Sequence, residues 1–169
     1  IPIEELRADF RSVFAAIEKN SHGRYRIFYN LALQGPKDYY VDFAIESQSG
    51  CTVALPLVFK DVMRDLMANA RKYTAPGGTI SAGLYETDSE LKFTVSDTGC
   101  GIPADEIQTV FHYGKRGSNV GKVRTMGGGF GLTKAFLVTK QFGGRFWIRS
   151  EVGQGTRIRI VIPRPPTGL

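Results

Sequence analysis

Asp97-Thr98-Gly99-Cys100-Gly101-Ile102-Pro103 is the stretch on which the fold of this chain turns. It follows Leu91 to Val95, an alternating apolar run that predicts a strand, and places a carboxylate at the strand exit just ahead of closely spaced glycines. Glycine allows backbone conformations and close approaches that a Cβ forbids, and a carboxylate accepts hydrogen bonds from an exocyclic amine such as that of adenine. The stretch therefore reads as a nucleotide-binding turn, with companions upstream in Asp65, Asn69 and Lys72 and downstream in Gly127 to Leu132.

On the N-terminal side an amphipathic helix is expected, where Leu6, Phe10, Phe14 and Ile17 recur at helical spacing and the pattern ends near Lys19-Asn20. Arg24 to Leu33 and Asp38 to Glu46, separated by Gly35-Pro36-Lys37, predict two strands in a hairpin-like arrangement whose aromatic residues belong to a core. A long helix runs from Leu57 to Tyr73 and stops before Ala75-Pro76-Gly77-Gly78. Strands follow at Thr79 to Tyr85 and Glu90 to Val95. A second long helix spans Phe130 to Gln141, and strands at Arg145 to Ser150 and Thr156 to Ile162 precede a proline-rich tail. Separated groups of strands with intervening helices predict a mixed sheet covered by helices on one face.

On the Leu57 to Tyr73 helix, Val62, Met63, Leu66, Ala70 and Tyr73 form an apolar arc, and Lys60, Arg64 and Arg71 form a basic arc expected to meet solvent. Asp61, Asp65, Asn69 and Lys72 make a third stripe at offsets of four, four and three, about 16 Å long at the α-helical rise, and are expected to converge on one space. A solvated charge ladder is one reading of that stripe. The other is a ligand face, because an amide oxygen can ligate Mg²⁺ beside substrate phosphates and an ammonium can neutralise those phosphates. Gly127-Gly128-Gly129-Phe130-Gly131-Leu132 lacks the Lys-Ser/Thr ending of a P-loop, and Lys134 occupies the last glycine position of a dinucleotide fingerprint. What is left is a glycine hinge opening a helix, either a plain loop or a phosphate-receiving N-terminus. Lys115-Arg116-Gly117-Ser118 and Lys122 to Arg124 ahead of it supply basic material suited to a lid.

Composition sets the bounds. With 169 residues, 42% hydrophobic and 22% charged, the chain fits one globular domain. Its formal charge of +6 suits an anionic partner without choosing one. The basic residues are scattered along the sequence and no aromatic-interleaved recognition motif appears, so nucleic acid is not expected as a partner. Cys51 and Cys100 suggest neither a disulfide framework nor a zinc set, which fits a reducing, cytoplasmic setting. No apolar run of about 18 residues appears, so no direct membrane contact is expected of this chain. The start at Ile1 rather than Met suggests a piece of a longer protein.

Taken in order, the motifs resemble those of the GHKL ATPase and kinase superfamily, to which sensor histidine kinases, type II topoisomerase ATPase domains and heat-shock chaperone ATPases belong. Asp65-x-x-x-Asn69 is similar to its N box, Asp97-x-Gly99-x-Gly101 to its G1 box, Gly127-x-Gly129-Phe130-Gly131-Leu132 to its G2 box, and Gly153-Gln154-Gly155-Thr156 to its closing turn. Phe111-His112-Tyr113-Gly114 matches the kinase F box in part, with His112 a packing or pocket-edge residue. Asn-Ala-Arg-Lys-Tyr-Thr at 69–74 and the ending soon after Ile162-Pro163 look most like the catalytic domain of a sensor histidine kinase.

The resemblance implies a two-layer α/β sandwich of the Bergerat type with a flexible ATP lid. It makes 1–169 a single domain with the core motifs at 57–163, an N-terminal helix and strand pair at 1–50 and a tail at 164–169. ATP and Mg²⁺ are the implied cofactors, with Asn69 on the metal and Lys72 near phosphate. Asp97 is placed on the adenine amine, with Thr156 supporting the pocket. Tyr73, Gly99, Gly101, Ile102, Lys115, Arg116, Gly127, Gly129, Phe130, Gly131 and Leu132 shape the pocket or lid. Asp65, where kinases commonly carry Asn or Glu, is implied as catalytic together with Asn69 and Lys72. Neither His22 nor His112 sits in a phosphoacceptor motif, so the accepting histidine is expected outside the chain, on dimerisation and phosphoacceptor helices of a parent kinase that answers to a response regulator. That parent is cytoplasmic or anchored to a membrane elsewhere. A GHKL serine/threonine kinase of anti-sigma type and a non-catalytic ATP-binding regulatory module are the alternatives.

Overall fold

A computed structural model describes residues 1–108 and 130–164. Helix α1 (Ile3–Asn20) leads into a short strand β1 (Ile27–Phe28), a 3₁₀ turn (Leu31–Leu33) and strand β2 (Tyr39–Glu46). Helix α2 (Leu57–Lys72), strands β3 (Thr79–Glu86) and β4 (Glu90–Asp97), helix α3 (Phe130–Gln141) and strands β5 (Arg145–Glu151) and β6 (Gly155–Pro163) follow. Residues 104–108 are also helical. The strands form one mixed sheet in the order β1-β2-β3-β4-β6-β5. β1, β2 and β3 run parallel, while the β3–β4, β4–β6 and β6–β5 pairs are antiparallel.

Side-chain periodicity explains the layers. Along β4, Leu91, Phe93 and Val95 are buried, and Ile158, Ile160 and Ile162 are their opposites on β6. They meet Phe59, Val62, Met63, Leu66, Met67 and Ala70, the buried stripe of α2. Each fully buried Phe, Leu or Met contributes on the order of 1.5–3 kcal/mol, so this stripe carries much of the sandwich. Pro56 supplies the N-cap position of α2 with extended backbone, and Arg71 and Lys72 occupy its last turn, where cations favour the helix dipole.

The expected hairpin at 24–46 is not formed. β1 is only Ile27–Phe28 and pairs parallel to β2, Ile27 opposite Tyr39. Local polar bonds turn the intervening chain twice: the Asn30 side chain caps the amide of Ala32, and the Asp38 carboxylate accepts from the amides of Gly35 and Arg26. Side-chain bonds of this kind compete with strand pairing, and they return the chain in its original direction. The basic arc of α2 is also only partly in solvent. Arg64 is exposed, but Lys60 pairs with Asp9 of α1 and the Arg71 guanidinium lies 5.7 Å from the Tyr25 ring centre. Cys51 and Cys100 are both free thiols. Among the described residues no helix is long and apolar enough to cross a membrane.

Candidate functional site

The register of β4 against β6 places Asp97 directly opposite Thr156 at the end of the sheet nearest the C-terminus of α2. Leu66, Asn69, Ala70 and Tyr73 of α2 and its C-cap, Val95 and Asp97 of β4, Ile102, Leu132 of α3, and Thr156 and Ile158 of β6 line one cleft between helices and sheet. Its walls are almost wholly apolar, and Asp97 is the carboxylate among them. Burial pushes the Asp97 carboxyl above the ordinary carboxylate range, while the backbone amides of Gly99 and Thr156 pull it down. The Gly99 amide donates to Asp97 Oδ1 at 2.9 Å.

The glycine turn is built for close approach. A Cβ on Gly99 would sit 2.2 Å from the Tyr73 carbonyl oxygen, and the next amide, that of Cys100, donates to that oxygen at 3.0 Å. Gly101 has φ of 77° and faces the Glu151 backbone at a distance no Cβ tolerates. The turn is thereby clamped between the end of α2 and the β5–β6 connection. Tyr73 adds a hydroxyl oxygen that is buried without a hydrogen-bond partner among the described residues, the kind of uncompensated polar atom that a ligand satisfies. Burial raises the pKa of that phenol.

Ser150 was not foreseen from sequence. Its hydroxyl accepts from the Ile102 amide at 2.6 Å, donates to the Gly155 carbonyl at 3.1 Å and lies 2.8 Å from Thr156 Oγ1. With its single proton committed to Gly155, it must accept from Thr156. One side chain thus fixes both the glycine turn and the threonine. Nothing in the sequence marks it beyond its position ahead of the Gly-Gln-Gly-Thr run.

The stripe on α2 does not converge on one space among the described residues. Asn69 opens into the cleft, whereas Asp65 faces a neighbouring depression with Asp61, Arg64 and Lys134. Lys72 lines a groove on the far side of the turn with Arg71, Tyr73, Thr98 and Gly99. The reason is the first turn of α3, which packs across the stripe. A Cβ on Gly131 would lie 2.6 Å from Asn69 Nδ2 and 3.8 Å from Asp65 Cβ, and Lys134 one turn on pairs with the Asp65 carboxylate at 3.3 Å. Lys115, Arg116, Gly127, Gly129 and the 111–114 aromatic run lie outside the described residues, as does the side chain of Phe130.

Residues 54–166 match the family described as histidine kinase-, DNA gyrase B- and HSP90-like ATPases. The chain belongs to this ATPase family. Among its relatives, the adaptive-response sensory kinase SasA of Synechococcus elongatus is 36% identical over 116 residues, covering 64% of this chain and 30% of that protein. The sensor protein SrrB of Staphylococcus aureus is 36% identical over 107 residues, covering 62% of this chain and 18% of that protein. The chain thus spans a third or less of the length of these relatives. The fold is that of the nucleotide-free catalytic domain of histidine kinase ThkA, with a TM-score of 0.60, 19% identity and coverage of 97% of this chain and 93% of that one. The mycobacterial sensor histidine kinase MprB has the same fold at a TM-score of 0.59 and 19% identity, with 99% of each chain covered. The family places an ATP-binding function on this two-layer α/β sandwich.

Proposed function

We propose that the chain is the ATP-binding catalytic domain of a sensor histidine kinase, which binds Mg²⁺-ATP and passes the γ-phosphoryl group to a histidine outside this chain. The observation that carries the reading is Asp97, a half-buried carboxylate at the end of a cleft with apolar walls. A flat purine suits such walls, and the one carboxylate at their end is an acceptor suited to a base with an exocyclic amine. Tyr73 and Ile102 flank the base, and Thr156, fixed by Ser150, supports the carboxylate from the neighbouring strand.

The donor set fits Mg²⁺ only as a shared ligand. Among the described residues no group of His, Cys, Asp and Glu could cage a metal, and Mg²⁺ beside nucleotide phosphates needs only one or two protein ligands. Asn69 is that ligand, with its amide nitrogen toward Gly131 and its oxygen turned away. Bound there, the metal supplies charge neutralisation for the phosphates. In this reading Lys72, Lys115 and Arg116 supply cations to the phosphates, Gly127, Gly129 and Gly131 serve nucleotide binding, and Asp65, which pairs with Lys134, orients the incoming histidine. Catalysis rests on positioning and charge, as phosphoryl transfer requires, and the imidazole is the nucleophile. The work takes place in the cytoplasm, with the phosphoacceptor helices and a response regulator as partners.

Calorimetry with ATP and GTP, with and without Mg²⁺, tests this. Selective ATP binding that is weakened in Asp97→Asn, and whose Mg²⁺ dependence is lost in Asn69→Ala, is expected. A folded chain that takes up no ATP would overturn the reading.

A further inference from the structure

The sheet face opposite the helices is solvent-facing, and at the β5–β6 edge it is strongly basic. Alternation along the strands directs Arg145, Trp147 and Arg149 of β5 and Arg157 and Arg159 of β6 outward, all exposed, with Lys92 of β4 beside them. Arg149 stands directly opposite Arg157 in the register. Like charges facing each other across a ladder destabilise a sheet, so stability does not account for this pair. Glu90 compensates Arg145 at 3.3 Å, and Glu151 ends β5, but on this part of the face arginines outnumber carboxylates. Asp42 and Glu46, the other exposed acids of this face, sit on β2 toward the opposite side of the sheet.

The aromatic residues decide what such a face holds. The Arg159 guanidinium lies 4.2 Å from the Trp147 ring centre and that of Arg145 lies 5.3 Å away, while Lys92 covers Tyr85 at 5.0 Å. Trp147 stays 38% exposed, but two guanidiniums already stack on its ring, which leaves less of it to a nucleobase or lipid. The same stacking restrains the guanidiniums, so that less freedom is lost when they form paired hydrogen bonds to planar carboxylates. Arg157 and Arg159 are two residues apart on one strand, about 6.8 Å, which is also the spacing of alternate side chains in an extended peptide.

We propose that the outer face of β5 and β6 docks an acidic protein segment in extended conformation, whose alternate carboxylates engage Arg149, Arg157 and Arg159. This surface is separate from the nucleotide cleft, on the other side of the sheet.

A fluorescent deca-glutamate peptide titrated by anisotropy into the 169-residue chain at low salt is the test. Binding is expected, and Arg149→Glu/Arg159→Glu should weaken it about tenfold or more. Lys19→Glu/Lys37→Glu, which alters net charge equally on exposed residues of α1 and the loop before β2, should leave it within about twofold. Thermal melting and ATP titration establish that each variant is folded. Should either double variant misfold, the single reversal Arg159→Glu, with Lys37→Glu as its control, replaces it. No binding by the parent chain, or equal losses in the two double variants, overturns the proposal. So does tighter binding of oligothymidylate or of phosphatidylserine vesicles than of the peptide, or self-association that the arginine reversals abolish.

Discussion

Gly131→Ala separates fold from ligand binding most sharply. The added Cβ would lie 2.6 Å from Asn69 Nδ2, whereas ordinary contact begins near 3.4 Å, so the amide must move by about 0.8 Å. Its next neighbour, Asp65 Cβ, is already at an acceptable 3.8 Å, so the strain falls on the end of one side chain rather than on backbone. Replacing glycine in a helix gains up to about 1 kcal/mol, and forcing Asn69 off its rotamer costs about 0.5–1.5 kcal/mol, leaving the fold within about 1 kcal/mol of its starting stability. The amide moves as one plane, so its oxygen shifts with the nitrogen, and Mg²⁺, which demands near-ideal geometry at about 2.0–2.1 Å, does not follow it. Mg²⁺-dependent ATP affinity should therefore drop about 10- to 100-fold, the range seen when a group that positions a metal ligand is altered. Calorimetric titrations with and without Mg²⁺, alongside thermal melts, measure both quantities. An unchanged melt with Mg²⁺-dependent affinity within about twofold of the parent would refute the placement of Asn69 on the metal.

Asp97→Asn should trade binding for stability. Because burial raises the Asp97 pKa above 3.8, the group favours the fold below that pH and loses this contribution as pH rises through its folded value. The Asn variant should thus melt above the parent at neutral pH, with the gap closing on acidification, and a gap independent of pH would count against a desolvated carboxylate. Gly99→Ala must push against the Tyr73 carbonyl and should lower stability by about 1–3 kcal/mol in urea titrations, a result absent if the turn can relax. Ser150→Ala orphans the Ile102 amide and frees Thr156, costing about 1–3 kcal/mol and weakening ATP binding; an effect on neither would show that Ser150 holds nothing in place. Lys134→Ala removes a pair whose side chains are 45% and 46% exposed and should change stability by less than about 1 kcal/mol; a larger loss would mean that this ion pair supports the fold.

How much was legible in the sequence follows from the range of each interaction. Helical spacing of Leu6, Phe10 and Phe14, the alternation at Leu91 to Val95 and the glycines at 99 and 101 are local signals, and they marked α1, β4 and the turn at nearly their observed bounds. The apolar arc of α2 foretold its buried face for the same reason, since a helix wheel needs no partner to be drawn. Asp97, Asn69 and Thr156 could be named as candidate site residues because their motifs occur in a characteristic order, and the fold brings all three to one cleft.

Direction and company are decided elsewhere. Two apolar runs separated by a short loop look alike whether they pair antiparallel or parallel, and the bonds of Asn30 and Asp38 chose the parallel form of β1 and β2. The α2 stripe was split because α3, distant in sequence, lays Gly131 and Lys134 across it. Ser150 gained its role from three partners that only folding brings within reach. Arginines scattered through 145–159, with Lys92 from an earlier strand, became one basic face through strand register, which sequence periodicity alone does not specify. Most of the elements, though not the short β1, and the chemical character of the candidate site could be read from sequence because they depend on neighbours along the chain. The tertiary structure alone decided which groups share a space, because that depends on contacts between segments far apart in sequence.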